Sequence, residues 1–118
     1  MPSKLPNYLR TCRKAASLTQ AEVAYLLGGR TGARVSRYER FRQQPQLETV
    51  FAYEAIFRIP ARELFAGLYQ QVERQTHRRV RTLTRRVSQV PPDAALRRKT
   101  EFLREIALGL PPDPPRLS

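Results

Sequence analysis

Apolar positions along the chain recur at intervals of three and four and almost nowhere alternate with period two, so the sequence predicts helices and no sheet. Prolines and glycines cut this pattern into short pieces. The first predicted helix runs from about Tyr8 to Ala16, with Leu9, Cys12 and Ala16 on one face. Thr19 followed three residues later by Glu22 has the form of a capping box, which starts a second helix at Gln20. Gly28-Gly29 supply the left-handed conformation that closes it at Leu27. A third helix is expected from Gly32 to about Arg40, with Val35 and Tyr38 inward, before a loop at Arg42-Gln43-Gln44-Pro45. A fourth, Leu47 to Phe57, carries Leu47, Val50, Phe51, Ile56 and Phe57. Ile59-Pro60 breaks it, and a short fifth helix from Arg62 to Leu68 contributes Leu64 and Phe65. Five short helices in this span predict a compact all-α domain over residues 5–68.

The second half has a different pattern. Tyr69, Val72, Thr76, Val80, Leu83 and Val87 recur at spacings of three and four, an apolar seam on one long helix. Its other faces carry Arg74, Arg78, Arg79, Arg81, Arg85 and Arg86. Val90-Pro91-Pro92 stops it, and Asp93 is placed to cap a last helix through about Leu108, with Leu96, Phe102, Leu103 and Ile106. Residues 69–109 are thus expected as an arginine-rich helical extension, and 110–118 as a proline-rich, extended tail. No internal repeat is present.

Charge narrows the partner. Lys and Arg number 22 against 10 Asp and Glu, a net charge of +12 with a pI near 11.2. Such an excess favours a polyanion, nucleic acid or an acidic membrane surface. Only Lys4, Lys14 and Lys99 are lysines. The rest are guanidinium groups, which grip phosphate bidentately and read guanine edges. Codon usage in a GC-rich genome accounts for the choice of Arg over Lys equally well, but not for the net charge. At 118 residues the chain allows one ordinary domain, or a smaller one with an appended arm. A domain of ~60 residues buries only about 60% of the surface its unfolded chain exposes, so extra helices or a partner chain would help it.

Several chemistries are excluded. Cys12 is the single cysteine and His77 the single histidine, which rules out an intramolecular disulfide, a cysteine-cluster metal site and a multi-histidine metal site, and no metal is expected. Cys12 is expected as a buried thiol acting as a small hydrophobe, and His77 sits among arginines on a face expected to be exposed. No paired carboxylates, nucleophile beside a histidine or phosphate-cradling glycine loop is found, so neither an enzyme nor a cofactor is expected. The segment Met1 to Pro6 lacks the apolar run of a signal peptide, and no window approaches the ~20 apolar residues of a membrane span. A cytoplasmic protein with no membrane partner is the expectation.

The segment Leu18-Thr19-Gln20-Ala21-Glu22-Val23-Ala24-Tyr25-Leu26-Leu27-Gly28 resembles the first helix and turn of the Xre/Cro, phage-repressor-like helix-turn-helix family. Val35-Ser36-Arg37-Tyr38-Glu39 is similar to the end of its recognition helix. Pro45-Gln46-Leu47-Glu48-Thr49-Val50 and Ile59-Pro60-Ala61-Arg62-Glu63-Leu64-Phe65 resemble its fourth and fifth helices. The likeness covers about Leu9 to Phe65, in order. It implies a five-helix lambda-repressor-like DNA-binding domain, a transcriptional regulator of bacterial or phage origin, and double-stranded DNA as partner. The chain departs from the family pattern in one place. Between Gly28 and Val35 it is one residue longer, which leaves the start of the recognition helix open, with Thr31 as its expected N-cap.

Site roles follow from the resemblance. Gln20 is expected to meet a DNA phosphate at the start of the second helix. Thr31, Gly32, Ala33, Arg34 and Arg37 are expected to face the groove, with Arg34 and Arg37 as bidentate guanine readers. Arg40, Arg42 and Gln43 are expected on phosphates. Arg13, late in the first helix, and Glu39, ending the recognition helix, are expected as a partly buried salt bridge of structural role. The family's two-fold operators imply a homodimer, a repressor joined through the C-terminal arm. The arginine run from Arg74 to Arg86 suits a dimer arm, a second phosphate-binding surface or a plain solvated face, and the sequence leaves these open. An antitoxin or adaptor that works through a protein partner, with DNA binding as autoregulation, is the competing reading. An apolar strip of Leu96, Phe102, Leu103 and Ile106 left uncovered would mark it.

Overall fold

The computed structural model describes residues 4–111, and among them the chain forms seven helices and no strand. These are α1 (Leu9–Ala15), α2 (Gln20–Leu26), α3 (Ala33–Glu39), α4 (Leu47–Phe57), α5 (Ala61–Leu64), α6 (Ala66–Val87) and α7 (Ala94–Leu108). The chain divides into two compact units, with the boundary after Gln71. No helix among the described residues is long and apolar enough to cross a membrane.

In the first unit each of α1 to α5 sends at least one side chain into a common core of Leu9, Val23, Ala24, Val35, Tyr38, Tyr53, Leu64 and Phe65. Full burial of an aliphatic side chain contributes about 1.5–3 kcal/mol, so this shared centre is the main force that fixes five short helices, none of which is stable alone. Cys12, Leu18, Leu27, Val50, Phe57, Ile59 and Leu68 pack half-buried around it. Tyr53 stacks on Phe57 at 6.1 Å and meets Tyr38 edge-on at 6.3 Å.

The local signals act as physics requires. Thr19 accepts from the backbone N–H of Glu22 at 3.0 Å while the Glu22 carboxylate accepts from that of Thr19 at 2.9 Å, the reciprocal capping box that starts α2. Asp93 accepts from Leu96 N–H at 2.7 Å and starts α7. Arg58 in the left-handed conformation closes α4 at the expected place, and Glu54 accepts from the Ala61 N–H at 2.8 Å to start α5.

Several expectations are corrected. In α4 the buried residue is Tyr53, while Leu47 and Phe51 are exposed. At 100° per residue Val50, Tyr53, Ile56 and Phe57 share one arc, Phe51 falls on the opposite side, and Leu47, in the first turn, lies at the edge of the arc. Ala16 is exposed because α1 ends at Ala15 and Ser17 turns the chain away with a positive φ. The fifth helix stops at Leu64, and the long helix begins at Ala66 rather than Tyr69, because Phe65 leaves helical geometry between them. The extended segment at Leu5 crosses the start of α6 so closely that a Cβ on Gly67 would overlap the Leu5 carbonyl, which accepts from Gly67 N–H at 2.8 Å. Finally, the seam of the long helix is covered only in part. Val80 and Val87 are buried with Leu103 of α7, against which Leu96 and Ile106 pack, whereas Tyr69, Val72, Thr76 and Leu83 are exposed.

The length of α7 accounts for the open stretch of seam before Val80, though not for Leu83, which lies between two covered residues. Fifteen residues at about 1.5 Å each cannot span the twenty-two of α6. His77, expected on an exposed face, is half-buried, on the flank of the seam by helical register. Of the expected proline-rich tail, residues 112–118 lie outside the described residues.

Candidate nucleic-acid interface

The site grows from the turn between α2 and α3. Gly28 takes φ +83°, its N–H donates to Tyr25 carbonyl at 3.0 Å, and the Gly29 N–H donates to Ala24 carbonyl at 2.7 Å. These two bonds form a Schellman closure, which a side chain at Gly28 would strain. Close approach constrains the rest of the turn. A Cβ on Gly29 would lie 3.3 Å from the Ala24 carbonyl oxygen, and one on Gly32 would lie 3.0 Å from the Gln20 Cβ. With Ala24 buried at the crossing, α3 packs tightly on α2, the close helix pair that this motif requires. The N-cap of α3 is Gly32, not Thr31, and Gly32 provides no side-chain cap. The extra residue places Thr31 within the turn, where its hydroxyl accepts a long 3.4 Å bond from Ala33 N–H.

One ionic cluster locks three helices together. Arg13 of α1 donates through Nε to Glu39 Oε2 at 2.6 Å and through a terminal nitrogen to Oε1 at 3.1 Å. A third donor reaches the Leu18 carbonyl at 3.0 Å. Gln20 of α2 donates its amide to the same Glu39 Oε1 at 3.1 Å. The Glu39 side chain is 2% exposed, and its hydrogen bonds hold the Arg13 guanidinium above its usual range, so Arg13 stays charged at any ordinary pH. Below it, burial first and the Glu39 charge second hold the Tyr53 phenol above its usual range. The Tyr53 hydroxyl has no hydrogen-bond partner among the described residues. Burial likewise raises the Cys12 thiol, which keeps it protonated and unreactive.

The outer face is cationic. Arg34 and Arg37, three residues apart on α3, are exposed and line one concavity of about 310 Å³ together with Thr31, Ala33 and Thr49. Arg30 lines it too. Sequence reasoning passed over Arg30 because a turn residue carries no periodicity, although a charge beside the turn was a readable sign. Arg37 donates to the Gln43 side-chain oxygen at 3.0 Å, which draws the residue after the helix back to it. Arg40 lines a separate hollow with Gln20 and Ser36. Arg42 and Gln43 are exposed beyond a second Schellman closure, in which Phe41, with φ +62°, and Arg42 donate to the Tyr38 and Arg37 carbonyls. From Val23 to Leu47 the sequence holds five arginines, all exposed, and one acid, Glu39, which Arg13 already neutralises.

Residues 9–64 match a family model described as helix-turn-helix. The match starts where α1 starts and ends where α5 ends. That span therefore has the all-α, five-helix, lambda-repressor-like fold, and a basic helical extension follows it. No curated protein and no solved structure matches the chain.

Proposed function

We propose that this chain is a sequence-specific DNA-binding regulator of transcription, a repressor acting as a homodimer in the cytoplasm, with α3 seated in the major groove. The observation that carries the reading is the five-arginine surface on the helix-turn-helix, free of any exposed acid between Val23 and Leu47. Arg34 and Arg37 read guanine edges, each bidentate contact discriminating by about 1–3 kcal/mol. The small residues Thr31, Gly32 and Ala33 let the start of α3 approach the bases. Arg30, Arg40, Arg42 and Gln43 hold phosphates and set register rather than sequence. Gln20 reaches a phosphate with the amide hydrogen that Glu39 does not take. Arg13 and Glu39 hold the motif rigid and touch no DNA. A two-fold operator suits a dimer, and exposed Tyr69, Val72 and Leu83 offer it an apolar surface.

A role in binding a protein partner has one observation in its favour, Phe102 at 61% exposed. The remainder of that strip is spent internally, since Leu103 is buried and Leu96 and Ile106 pack on it. Selection of random-sequence duplexes across a salt series, with wild type and Arg34→Ala/Arg37→Ala, decides between them. A discrete motif that the double variant relaxes supports the groove reading. Sequence-blind binding indifferent to both substitutions sinks it. Light scattering of the free protein tests the dimer.

A further inference from the structure

The second unit holds a charged pattern that the helix-turn-helix leaves unused. At 100° per residue, Arg74, Arg78, Arg81 and Arg85 of α6 follow the spacing i, i+4, i+7, i+11 and share one face. All four are exposed. Arg79 and Arg86 lie on another flank. The stripe runs about 16 Å along the helix axis at ~1.5 Å per residue, and by the same arithmetic it lies roughly opposite the apolar seam of Val72, Val80, Leu83 and Val87. Packing of α7 through Val80, Val87 and Leu103 therefore leaves the stripe open, and so does any partner seated on the exposed part of the seam.

None of the four is in an ion pair among the described residues. The lone ion pair among the described residues is Arg13 with Glu39. Glu73, the single acid on α6, sits by register beside the seam, about a quarter turn or more from the stripe. Guanidinium groups on adjacent helical turns repel one another, by amounts that water screens but does not abolish. A dense line of negative charge removes that repulsion and replaces it with attraction. Duplex DNA presents about one phosphate charge per 1.7 Å of axis, denser than the stripe, so each arginine finds a phosphate without a fixed register. Along the stripe α6 is held through Val80 and Val87 against Leu103, and phosphate contact asks for no exact placement against a base edge.

We propose that Arg74, Arg78, Arg81 and Arg85 form a second, sequence-independent phosphate-binding surface for duplex DNA. It rests on the proposal that α3 binds DNA, because one chain then carries both surfaces and the second binds at the high effective concentration its tether sets. The stripe adds affinity and salt dependence, while α3 supplies sequence preference.

The test uses the full chain and three variants: Arg74→Gln/Arg78→Gln/Arg81→Gln/Arg85→Gln, the same four positions to Lys, and Arg34→Ala/Arg37→Ala. Binding to a random-sequence DNA duplex is measured from low to high salt, alongside vesicles of anionic lipid and an RNA duplex of equal length. The glutamine variant is expected to lose at least about tenfold in DNA affinity near 0.1 M salt. Its slope of log affinity against log salt becomes shallower by about three to four, and the selected motif stays unchanged. The lysine variant keeps the wild-type slope, and circular dichroism shows both folded. If the glutamine variant binds DNA as wild type does, or the lysine variant fails equally, the proposal is wrong. It is equally wrong if the glutamine substitutions weaken vesicle or RNA binding more than DNA binding. A discrete motif with an unchanged slope overturns this surface and leaves the α3 reading intact. A changed slope with no motif does the reverse.

Discussion

Residues 1–71 and 72–118 each carry eleven Lys or Arg and five Asp or Glu, yet the two halves hold that charge in different ways. In the first, five helices close on a core of eight buried residues, and the buried acid Glu39 is committed to Arg13 and Gln20. Exposed Arg34 and Arg37 stand on α3, which is fixed by packing on one side and by an ionic lock at its end. In the second, two helices share three buried side chains, and no arginine of α6 is in an ion pair among the described residues. On the two proposals above, equal charge is put to unequal tasks. A rigid support lets a guanidinium be placed to a base edge, whereas a lightly supported helix offers charge to any backbone of phosphates.

Substitutions in the two units should separate them by the size of their effects. The largest effect is expected from Glu39→Ala, which strands the Arg13 guanidinium and should destabilise the first unit by about 3–5 kcal/mol in urea unfolding. A loss below about 1 kcal/mol would show that the lock is incidental. Next come the matched truncations Leu64→Ala and Leu103→Ala, both of buried leucines. The first should cost about 3 kcal/mol and the second nearer 2, because a two-helix seam collapses around a void more easily than a five-helix core. The opposite order would overturn the contrast between the units.

Smaller effects separate geometry from packing. Gly28→Ala and Gly109→Ala each put a Cβ on a left-handed residue and should cost about 1–2 kcal/mol by thermal denaturation. Only the former, in the turn of the motif, is expected to weaken DNA binding as well. Tyr53→Phe deletes a buried hydroxyl that has no partner and should leave the first unit as stable or up to about 1 kcal/mol more so. A clear loss would mean that this oxygen is satisfied in solution.

The smallest effect is a pH dependence. The Thr19 backbone N–H and then its hydroxyl hold the Glu22 carboxyl below its usual range. A carboxyl depressed by folding stabilises the fold above its unfolded pKa, about 4.3, and that contribution is lost as pH falls through the folded value. Melting temperatures followed from pH 7 to pH 3 should therefore fall more steeply for wild type than for Glu22→Gln. Parallel curves would mean that the capping box does not persist in solution.

Where an element was legible in the sequence, its cause was local. Thr19 and Glu22 start α2 and Asp93 starts α7 because a side chain and a backbone N–H three residues on need nothing else nearby. The ends of α4 follow in the same way from Pro45 before it and Pro60 after it. The i, i+3 relation of Arg34 and Arg37 is likewise a property of any helix, so their common face could be read directly. Tertiary structure decided the rest. Which face of α4 turns inward depended on neighbours that leave room for Tyr53 and not for Phe51. Gly32 rather than Thr31 caps α3 because α2 presses on the turn, a contact invisible along the chain. Arg30 joins the cationic concavity only once that turn is folded. The seam of α6 announced an apolar surface, but how much of it is covered was set by the length and position of α7. Local hydrogen bonding is written residue by residue, whereas burial is settled only when separate elements compete for the same space.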